Sequence, residues 1–468
     1  MNKNVKQNLA RLLVLVLLLS IILGTLSSCF SFKRYVAGSK DELASNIALA
    51  AEGRGKDREF VYQYLSDFGV PRFDGTKFLY FEIYVDSYFN YCEAPEKRAH
   101  AVMTATAFVE EYYDEINLAG ESEVTAALLD CYIDALGDPY AIYREPAAAE
   151  DFDNYMSGEF GGIGVMIEYN HTDETLLISS VLPGSPAEKA GVLKGDYIYA
   201  VDGATVEEIG YLYAANLIKG EVGSTVELTV LRGEELVTMP IVRAVIEDVS
   251  VQYSVTEDNL GYVYISSFKS NTADQFKEAI DSLTKTGVDG LIFDLRGNGG
   301  GYVQTACDMI SYLIPSGHTI VSYQYKPLLE MSTSVKSQID GLTDHTVDLP
   351  IVVITDENTA SSSEIFTSAI RDFRNEGLLN ATIVGTTTYK KGVMQRSFYY
   401  TDGSSITMTI AYYNPPSGVN FHGVGITPDV YVELPEPELD AETGKYLPVE
   451  DTQLDAAVTE LKKLINAN

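Results

Sequence analysis

The chain has 468 residues, a hydrophobic fraction of 46% and a formal net charge of -34. A chain of this length and composition can bury more than one hydrophobic core, so two or three domains are expected and a wholly disordered chain is excluded. The acidic residues are spread along the sequence, which argues against nucleic acid or anionic lipid as a partner, because both require clustered lysine and arginine.

The first segment has the features of an export signal. Lys3, Lys6 and Arg11 precede the apolar run "LLVLVLLLSIILGTL" (12–26), which is short for a membrane-spanning helix. The run is followed by small residues that end in "LSSC", so residues 1–28 resemble a bacterial lipoprotein signal whose lipidated residue is Cys29. A plain signal peptide or a signal anchor is the alternative. We expect a lipid-anchored protein on the extracytoplasmic face of a bacterial cell membrane.

The other cysteines, Cys92, Cys131 and Cys307, are odd in number and widely spaced. Such spacing predicts neither a disulfide framework nor a zinc site. A bridge between Cys92 and Cys131 and buried free thiols both stay open as interpretations. The five histidines are isolated and form no H-E-x-x-H sequence, which disfavours a histidine-bound metal.

The next segments differ in composition and in the spacing of their apolar residues. Residues 29–76 are mixed and polar, which is typical of a tether with some irregular structure. Between 77 and 158 apolar residues recur at helical spacing, and this pattern predicts a helical N-terminal region. From 159 to 246 short strands with period-2 apolar patterning alternate with turn dipeptides, which predicts a β-rich domain with short helices.

Four stretches of the β-rich segment resemble a bacterial PDZ domain: "GGIGV" (161–165), "PGSPAEKAG" (183–191), "KGDYIYAVDG" (194–203) and "LTVLR" (228–232). In such a module an extended peptide pairs with a free strand edge. The resemblance implies that the glycine-rich loop of Gly162, Ile163 and Gly164 binds the terminal carboxylate of the peptide through backbone N–H groups. An ordinary glycine turn is the alternative for this loop.

Residues 247–436 alternate between apolar strands and helices, which predicts a catalytic core made of a sheet covered by helices. Near its end "SFYYTDGSSITMTIAYYN" (397–414) predicts a hairpin that turns near Asp402 and Gly403. Residues 437–468 are expected to add a C-terminal helix that packs on the core. The whole chain is thus predicted to be an α/β multidomain protein.

Two loops of the core follow predicted strands, where the sites of open sheets gather. The loop "RGNGGG" (296–301) lacks the third glycine of a dinucleotide loop and the Lys-Ser or Lys-Thr pair of a P-loop, so nucleotide binding is disfavoured. Its N–H groups could instead form an oxyanion hole, and a tight turn is the alternative.

The second loop is "NTASSSEIF" (358–366), in which Ser361 and Glu364 have the spacing of a capping box. The alternative is that Ser361 is a nucleophile. These segments contain no G-x-S-x-G elbow and no histidine, so a lysine is the candidate base, a role that requires burial to lower its pKa. Gln395 follows Lys391 by four residues and shares its face in a strand.

Four motifs, standing in order after the PDZ-like segment, resemble those of the C-terminal processing peptidases, also called tail-specific proteases. They are "GLIFDLRGNGGG" (290–301), "ENTASSSEIF" (357–366), "YKKGVMQ" (389–395) and "GVGITPDV" (423–430). The resemblance implies a serine endopeptidase that needs no cofactor and acts on polypeptides with free C-termini. An inactive PDZ-bearing member that serves as a peptide-binding scaffold or sensor is the alternative.

The resemblance also implies a role for individual residues. Ser361 would be the nucleophile, Lys391 the general base and Gln395 the residue that orients the lysine. Backbone N–H groups of Ser362 and of Gly299 or Gly300 would bind the oxyanion, and Ser363 would be structural. Asp372, in the helix after the nucleophile, would support the site.

Two departures from the family pattern bear on these roles. Ser362 stands where the family usually has alanine, which keeps the backbone N–H group. Lys390 replaces a common glycine and competes with Lys391 as the base, although the spacing to Gly392 and Gln395 favours Lys391. The sequence gives no prediction of the oligomeric state.

Overall fold

The structure is a computed structural model that describes Lys77 and residues 121–170, 175–325, 332–336, 347–435 and 449–467. The predicted signal, Cys29, the tether and Cys92 lie outside these residues. Two compact units divide the chain. The first contains the described residues up to Glu150 and those of Tyr323–Thr333 and Val393–Tyr413, and the second contains the rest.

The helices and strands are numbered in chain order. The helices are α1 (Glu121–Leu136), α2 (Pro146–Ser157), α3 (Pro186–Ala190), α4 (Val206–Ile209), α5 (Tyr211–Ile218), α6 (Thr272–Thr286), α7 (Val303–Ser311), α8 (Ser362–Asn375) and α9 (Thr452–Ala467). The strands are β1 (Ile142–Arg144), β2 (Glu159–Gly162), β3 (Val165–Asn170), β4 (Thr175–Val181), β5 (Tyr197–Val201), β6 (Ala204–Thr205), β7 (Thr225–Arg232), β8 (Glu235–Val242), β9 (Ala244–Glu247), β10 (Val251–Val255), β11 (Gly261–Ile265), β12 (Leu291–Asp294), β13 (Thr319–Tyr325), β14 (Ser332–Lys336), β15 (Ile351–Thr355), β16 (Ala381–Gly385), β17 (Val393–Tyr399), β18 (Ser405–Asn414) and β19 (Val430–Tyr431).

In the first unit β18 pairs antiparallel with β1 and with β17. These three strands belong to a five-stranded sheet whose other strands are β13 and β14. The turn between β17 and β18 has Gly403 at φ 88°, and the Gly403 N–H donates to the Tyr400 oxygen over 3.1 Å. The predicted hairpin is therefore confirmed. Asp138 accepts the Thr409 N–H over 2.9 Å, which fixes the end of α1 to β18.

The second unit begins with the segment predicted as a PDZ domain. Its sheet has the order β3, β4, β5, β7, β8, with β6 beside β5, and β2 pairs with β9. Alternate residues of β7, Val226, Leu228 and Val230, are completely buried, as period-2 patterning predicts for a strand with one face on the core. Helix α3 starts from Ser185, whose hydroxyl caps the Glu188 N–H, with Pro186 in its first turn.

The chain enters and leaves this domain at one point. The Asp248 N–H donates to the Gly158 oxygen over 2.7 Å. The side-chain amide of Asn271, just before α6, donates to the Gly158 oxygen over 3.1 Å and to the Asp248 oxygen over 3.2 Å. The two ends of the domain are thus held side by side by the core.

The core sheet has the order β10, β11, β12, β15, β16, β19, and every neighbouring pair except β10–β11 is parallel. All residues of β12 and β15 are buried, as expected of parallel strands covered on both faces. One face carries an aromatic cluster in which Phe366 of α8 packs edge-on against Phe293 and Phe276. The predicted α/β fold is confirmed.

Helix α9 packs on the core sheet, where Ala457 and Leu461 belong to one apolar cluster with Ile292 and Val352. Cys307, on α7, is a buried free thiol. In the part of the chain that the structure describes, no helix combines the length and the apolar character needed to cross a membrane.

Candidate active site

Ser361 lies between a buried strand and a helix, as the sequence predicts. Strand β15 ends at Thr355 and α8 begins at Ser362, so Ser361 is the residue that precedes the helix. Its backbone has φ 57° and ψ -116°, a conformation that costs energy for any residue other than glycine. Strain of this kind, at a strand-to-helix turn, is typical of nucleophile elbows, although Ser361 lacks the flanking glycines of that motif.

The capping-box prediction holds for only one of the two side chains. The Glu364 carboxylate accepts the Ser361 N–H over 2.9 Å. The Glu364 N–H, however, donates to the backbone oxygen of Ser361 over 2.8 Å. Among the described residues, the Ser361 hydroxyl makes no capping hydrogen bond. Ser361 is 9% exposed.

The two following serines hold the glycine loop. The Ser362 hydroxyl donates to the Gly301 oxygen over 2.7 Å, and the Ser363 hydroxyl donates to the Asn298 oxygen over 2.9 Å. The three serines therefore have different environments. The hydroxyls of Ser362 and Ser363 donate to the glycine loop, whereas the hydroxyl of Ser361 does not cap the helix.

The glycine loop lies directly against Ser361. A Cβ atom on Gly300 would be 2.8 Å from the Ser361 Cβ and 2.9 Å from the Ser362 nitrogen, so only glycine fits there. Gly300 also has φ 100°. The opposite side of the loop pairs with Phe268, whose N–H donates to the Gly300 oxygen over 3.0 Å and whose oxygen accepts the Tyr302 N–H over 2.7 Å.

Asn298 fixes the conformation of this loop. Its Nδ2 donates to the Ile265 oxygen over 2.8 Å, and its Oδ1 accepts the Gly300 N–H over 2.9 Å. The predicted oxyanion donor Gly300 therefore has its N–H occupied. In the described part of the chain the N–H groups of Gly299 and Ser362 have no acceptor.

Glu364 joins the serine segment to the lysine segment. The Oε2 atom that accepts the Ser361 N–H also accepts the Lys391 N–H over 2.8 Å. Oε1 accepts the Lys390 N–H over 2.7 Å and the Thr388 hydroxyl over 2.6 Å. Burial raises the pKa of Glu364 above that of an ordinary glutamate, although these four hydrogen bonds oppose the shift.

The two candidate lysines differ in environment. Lys391 is half-buried, whereas Lys390 is exposed and has φ 84°. The next residue, Gly392, is packed so tightly that a Cβ atom would lie 2.7 Å from the His422 nitrogen. Gln395 belongs to the first unit, where its Nε2 donates to the Thr409 hydroxyl over 3.0 Å.

The predicted carboxylate loop lies just before β3. Gly164 has φ 80°, and a Cβ atom on it would overlap with the side chain of Ser185. The Ile163 oxygen accepts the Ala187 N–H over 2.8 Å, and the Gly164 oxygen accepts the Leu182 N–H over 2.9 Å. The N–H groups of Ile163 and Gly164 have no acceptor within the residues described.

Comparison with known proteins agrees with these observations. A family model described as "Peptidase family S41" matches residues 259–432, and one described as "PDZ domain" matches residues 177–232. The "Carboxy-terminal processing protease CtpA" of Bacillus subtilis (strain 168) is 34% identical over 337 residues, which are 71% of this chain and 69% of the relative. The chain belongs to the carboxy-terminal processing proteases of family S41.

Other members of the family are also similar. A "Probable CtpA-like serine protease" of Staphylococcus haemolyticus (strain JCSC1435) is 34% identical over 326 residues, which are 70% of this chain and 63% of the relative. The solved structure of a "photosystem II D1 C-terminal processing protease" is 26% identical, with 75% of this chain and 91% of that chain covered and a TM-score of 0.42. The family resemblance seen in the sequence is confirmed by the two family models and by the relative from Bacillus subtilis.

Asp372, which the family resemblance implied as a supporting residue, lies near the end of α8. Its Oδ2 accepts the Ser417 N–H over 3.0 Å, and its Oδ1 accepts Nε of Arg371 over 3.1 Å. These contacts hold the loop after β18. They place Asp372 about three helical turns from Ser361.

Sequence reasoning missed the roles of two residues in this S41 site. Glu364 was interpreted only as a helix cap, and Asn298 only as part of a glycine loop. A buried acidic residue three positions after a candidate nucleophile was the available signal for Glu364. Nothing in the sequence indicates that Asn298 occupies one glycine N–H group and leaves another unpaired.

Proposed function

We propose that the protein is an extracytoplasmic serine endopeptidase that captures the C-terminal tails of polypeptides with its PDZ domain and cleaves peptide bonds by a Ser/Lys mechanism. The position of Glu364 carries the proposal. One carboxylate oxygen accepts the N–H groups of Ser361 and Lys391, over 2.9 Å and 2.8 Å. It therefore holds the backbones of the nucleophile and the base next to each other.

The reaction is acyl transfer. The Ser361 hydroxyl oxygen forms a bond to the peptide carbonyl carbon while Nζ of Lys391 takes the hydroxyl proton. The C–N bond then breaks, and the leaving amine receives that proton. Water attacks the resulting ester and gives a proton to the lysine. The ester C–O bond then breaks, the Ser361 oxygen takes that proton back from the lysine, and the carboxyl product leaves. No cofactor takes part.

The oxyanion is bound by backbone N–H groups. Ser362 N–H and Gly299 N–H lack acceptors in the described chain, whereas Gly300 N–H is bonded to Asn298. Of the two predicted glycines, Gly299 is therefore the donor that we assign. Gly300 allows the loop to approach the serine closely. Such preorganised donors are worth about 10²–10³ in rate each.

Lys391 is a better candidate base than Lys390. A base lysine must be neutral, which requires removal from water, and Lys391 is half-buried while Lys390 is exposed. Family resemblance supports Gln395 as the residue that orients Lys391. In the PDZ loop the N–H groups of Ile163 and Gly164, which have no acceptor in the described part of the chain, would bind the carboxylate of the substrate tail.

A lipid anchor at Cys29 would hold the enzyme on the extracytoplasmic face of the cell membrane. The proposal rests on the signal-like run that ends in "LSSC". Cys29→Ser is expected to move the protein out of the membrane fraction. Retention of this variant in that fraction would contradict the anchor.

Cleavage of a peptide with a free C-terminus tests the catalytic proposal. Ser361→Ala and Lys391→Ala should each lose activity, whereas Lys390→Ala, a lysine of the same loop, should keep it. Equal activity in all three variants would reject the Ser/Lys assignment. Tail binding without any cleavage by the natural sequence would instead identify the inactive scaffold.

A further inference from the structure

A loop of the second unit lies against the backbone of the proposed base, Lys391. It consists of Asn420–Gly423, between β18 and β19, and we call it the clamp segment. Phe421 in its middle is buried, and the Phe421 oxygen accepts the Gly425 N–H over 2.8 Å. The clamp segment is therefore anchored by a buried ring and by a turn.

One end of the clamp segment holds the peptide group that precedes Lys391. The oxygen of this group, which belongs to Lys390, accepts the Gly423 N–H over 3.0 Å. Its N–H, which belongs to Lys391, donates to Oε2 of Glu364 over 2.8 Å. Because a peptide group is planar, hydrogen bonds at its two opposite atoms fix the orientation of the whole plane.

Two side chains of the clamp segment hold the residue that follows the lysine. The Gly392 N–H donates to Nδ1 of His422 over 3.3 Å, and the Gly392 oxygen accepts Nδ2 of Asn420 over 3.0 Å. The Asn420 Oδ1 atom also accepts the His422 N–H over 2.7 Å, which ties the two side chains together. Gly392 is buried, and a Cβ atom on it would lie 2.9 Å from Oδ1 of Asn420, so the clamp segment rests directly on the backbone.

These contacts determine where the lysine side chain starts. The two peptide groups meet at the Lys391 Cα atom, and the orientation of their planes sets φ and ψ and with them the direction of the bond to Cβ. Glu364 and Gly423 hold the first plane, and His422 holds the second. For a reacting group, a misplacement of about 1 Å can cost about 10² in rate.

We propose that His422 and Asn420 are positioning residues, which hold the peptide group after Lys391 so that the lysine amine is directed to the Ser361 hydroxyl. This inference rests on the Ser/Lys mechanism proposed above. In it the His422 ring acts as a hydrogen-bond acceptor. Nδ1 can accept only when it carries no proton, so the ring is neutral with its proton on Nε2.

Three substitutions of His422 separate the acceptor from the packing of the ring. His422→Asn keeps an acceptor at the δ1 position and loses the ring, whereas His422→Phe keeps a ring and loses the acceptor. His422→Leu has nearly the shape of the asparagine variant but no acceptor. If the hydrogen bond matters, asparagine should rescue and phenylalanine should not. If only packing matters, the order should be reversed.

Cleavage of a peptide with a free C-terminus by the full-length protein provides the measurement. His422→Phe and His422→Leu should each lower kcat about tenfold, with KM changed by less than about twofold. His422→Asn should keep kcat within about threefold of the natural sequence. Should the phenylalanine variant fail to fold, as judged by its thermal melting, the comparison of asparagine with leucine decides.

Asn420→Leu tests the other half of the clamp. It keeps the size of the side chain but removes both of its hydrogen bonds, so kcat should again fall about tenfold at nearly constant KM. His318→Phe is the matched control and should keep the natural kcat. His318 is another half-buried histidine, and its ring packs against Phe373, about three helical turns along α8 from Ser361.

The inference is overturned if the leucine and phenylalanine variants of His422 keep the natural kcat, if phenylalanine restores activity better than asparagine, or if the variants change KM and not kcat. Lys391→Ala, assayed beside them, distinguishes this failure from that of the proposed function. If Lys391→Ala is inactive, the lysine stands as the base and only the positioning role is wrong. If Lys391→Ala keeps its activity, the Ser/Lys mechanism is wrong, and the positioning role with it.

Discussion

Two glycine loops have backbone N–H groups that find no acceptor among the residues the structure describes, and the loops differ in how they are held. The carboxylate loop at Gly162–Gly164 is fixed by backbone hydrogen bonds from Leu182 and Ala187. The loop at Gly297–Gly301 is fixed by backbone hydrogen bonds from Phe268 and Ala360 and, in addition, by side chains, those of Asn298, Ser362 and Ser363.

Under the proposed function the difference follows from the anions that the loops bind. A tail carboxylate exists before and after binding, so its loop sets the affinity for the substrate. An oxyanion exists only during the reaction, so its donors must already be in place when the charge appears. Variants of the two loops should therefore affect different kinetic constants.

The largest effect is expected for Gly300→Ala. The added Cβ would press on the Ser361 Cβ and the Ser362 nitrogen, 2.8 Å and 2.9 Å away, and would displace both from their positions. We expect kcat to fall by about 10²–10³ with KM almost unchanged. Gly297→Ala is the matched control, because Gly297 also has a positive φ of 71° but no atom lies within 4 Å of its added Cβ. A similar loss of kcat in both variants would show that backbone strain, not contact with Ser361, is responsible.

A somewhat smaller effect is expected for Glu364→Gln. The amide nitrogen cannot accept hydrogen bonds, so two of the four donors around Glu364 would lose their acceptor. We expect kcat to fall by about tenfold to 10² while tail binding is kept. Glu357→Gln, on the same loop and exposed, should leave both constants unchanged.

The pH dependence of Glu364 has a definite sign. Burial raises its pKa, so the folded protein takes up this proton at a higher pH than the unfolded chain does. Its contribution to stability is therefore complete below the unfolded pKa and is lost as the pH rises through the folded pKa. Acidification should lower activity, because the proton that Glu364 takes up lies among its four hydrogen-bond donors. Protonation of Glu364 should not lower the melting temperature. A fall in activity and in melting temperature over the same pH range would contradict this prediction.

The corresponding variant in the PDZ domain is Gly164→Ala. Its Cβ would overlap with the side chain of Ser185 and move the two N–H donors. We expect tail affinity and KM to worsen by about tenfold, with kcat for saturating substrate unchanged. Gly184→Ala shares the positive φ, 75°, but has open space around the added Cβ, so it should bind like the natural sequence. A drop in kcat with unchanged KM would show that this loop does not bind the substrate tail.

The smallest effect concerns stability. Lys390 has φ 84°, so Lys390→Gly removes backbone strain at a position beside the proposed base. The free energy of unfolding should rise by about 0.5–1 kcal/mol, which corresponds to about 1–3 °C in Tm. Lys390→Ala keeps the strain and should show no gain. An equal gain in both variants would point to the lysine side chain instead.

The sequence was sufficient where short-range patterns decide the structure. Alternating apolar residues predicted the strands of the PDZ domain, and continuous apolar runs predicted the buried strands before both loops of the site. It was insufficient where distant segments meet. Three of the four hydrogen-bond donors to Glu364 lie 24 to 27 residues further along the chain, and only the sheet topology brings them to it. Likewise, the sequence does not distinguish Gly299 from Gly300. In the structure the Asn298 side chain accepts the N–H of Gly300 and not that of Gly299.

The paired ends of the PDZ domain have a consequence for the engineering of the chain. Since the Asp248 nitrogen and the Gly158 oxygen are 2.7 Å apart, the chain leaves the core and returns to it at adjacent backbone positions. Asn271 contacts both ends and belongs to the core, so the attachment point is supplied by the host. A domain with other ligand preferences could be exchanged there without altering the length of any core segment.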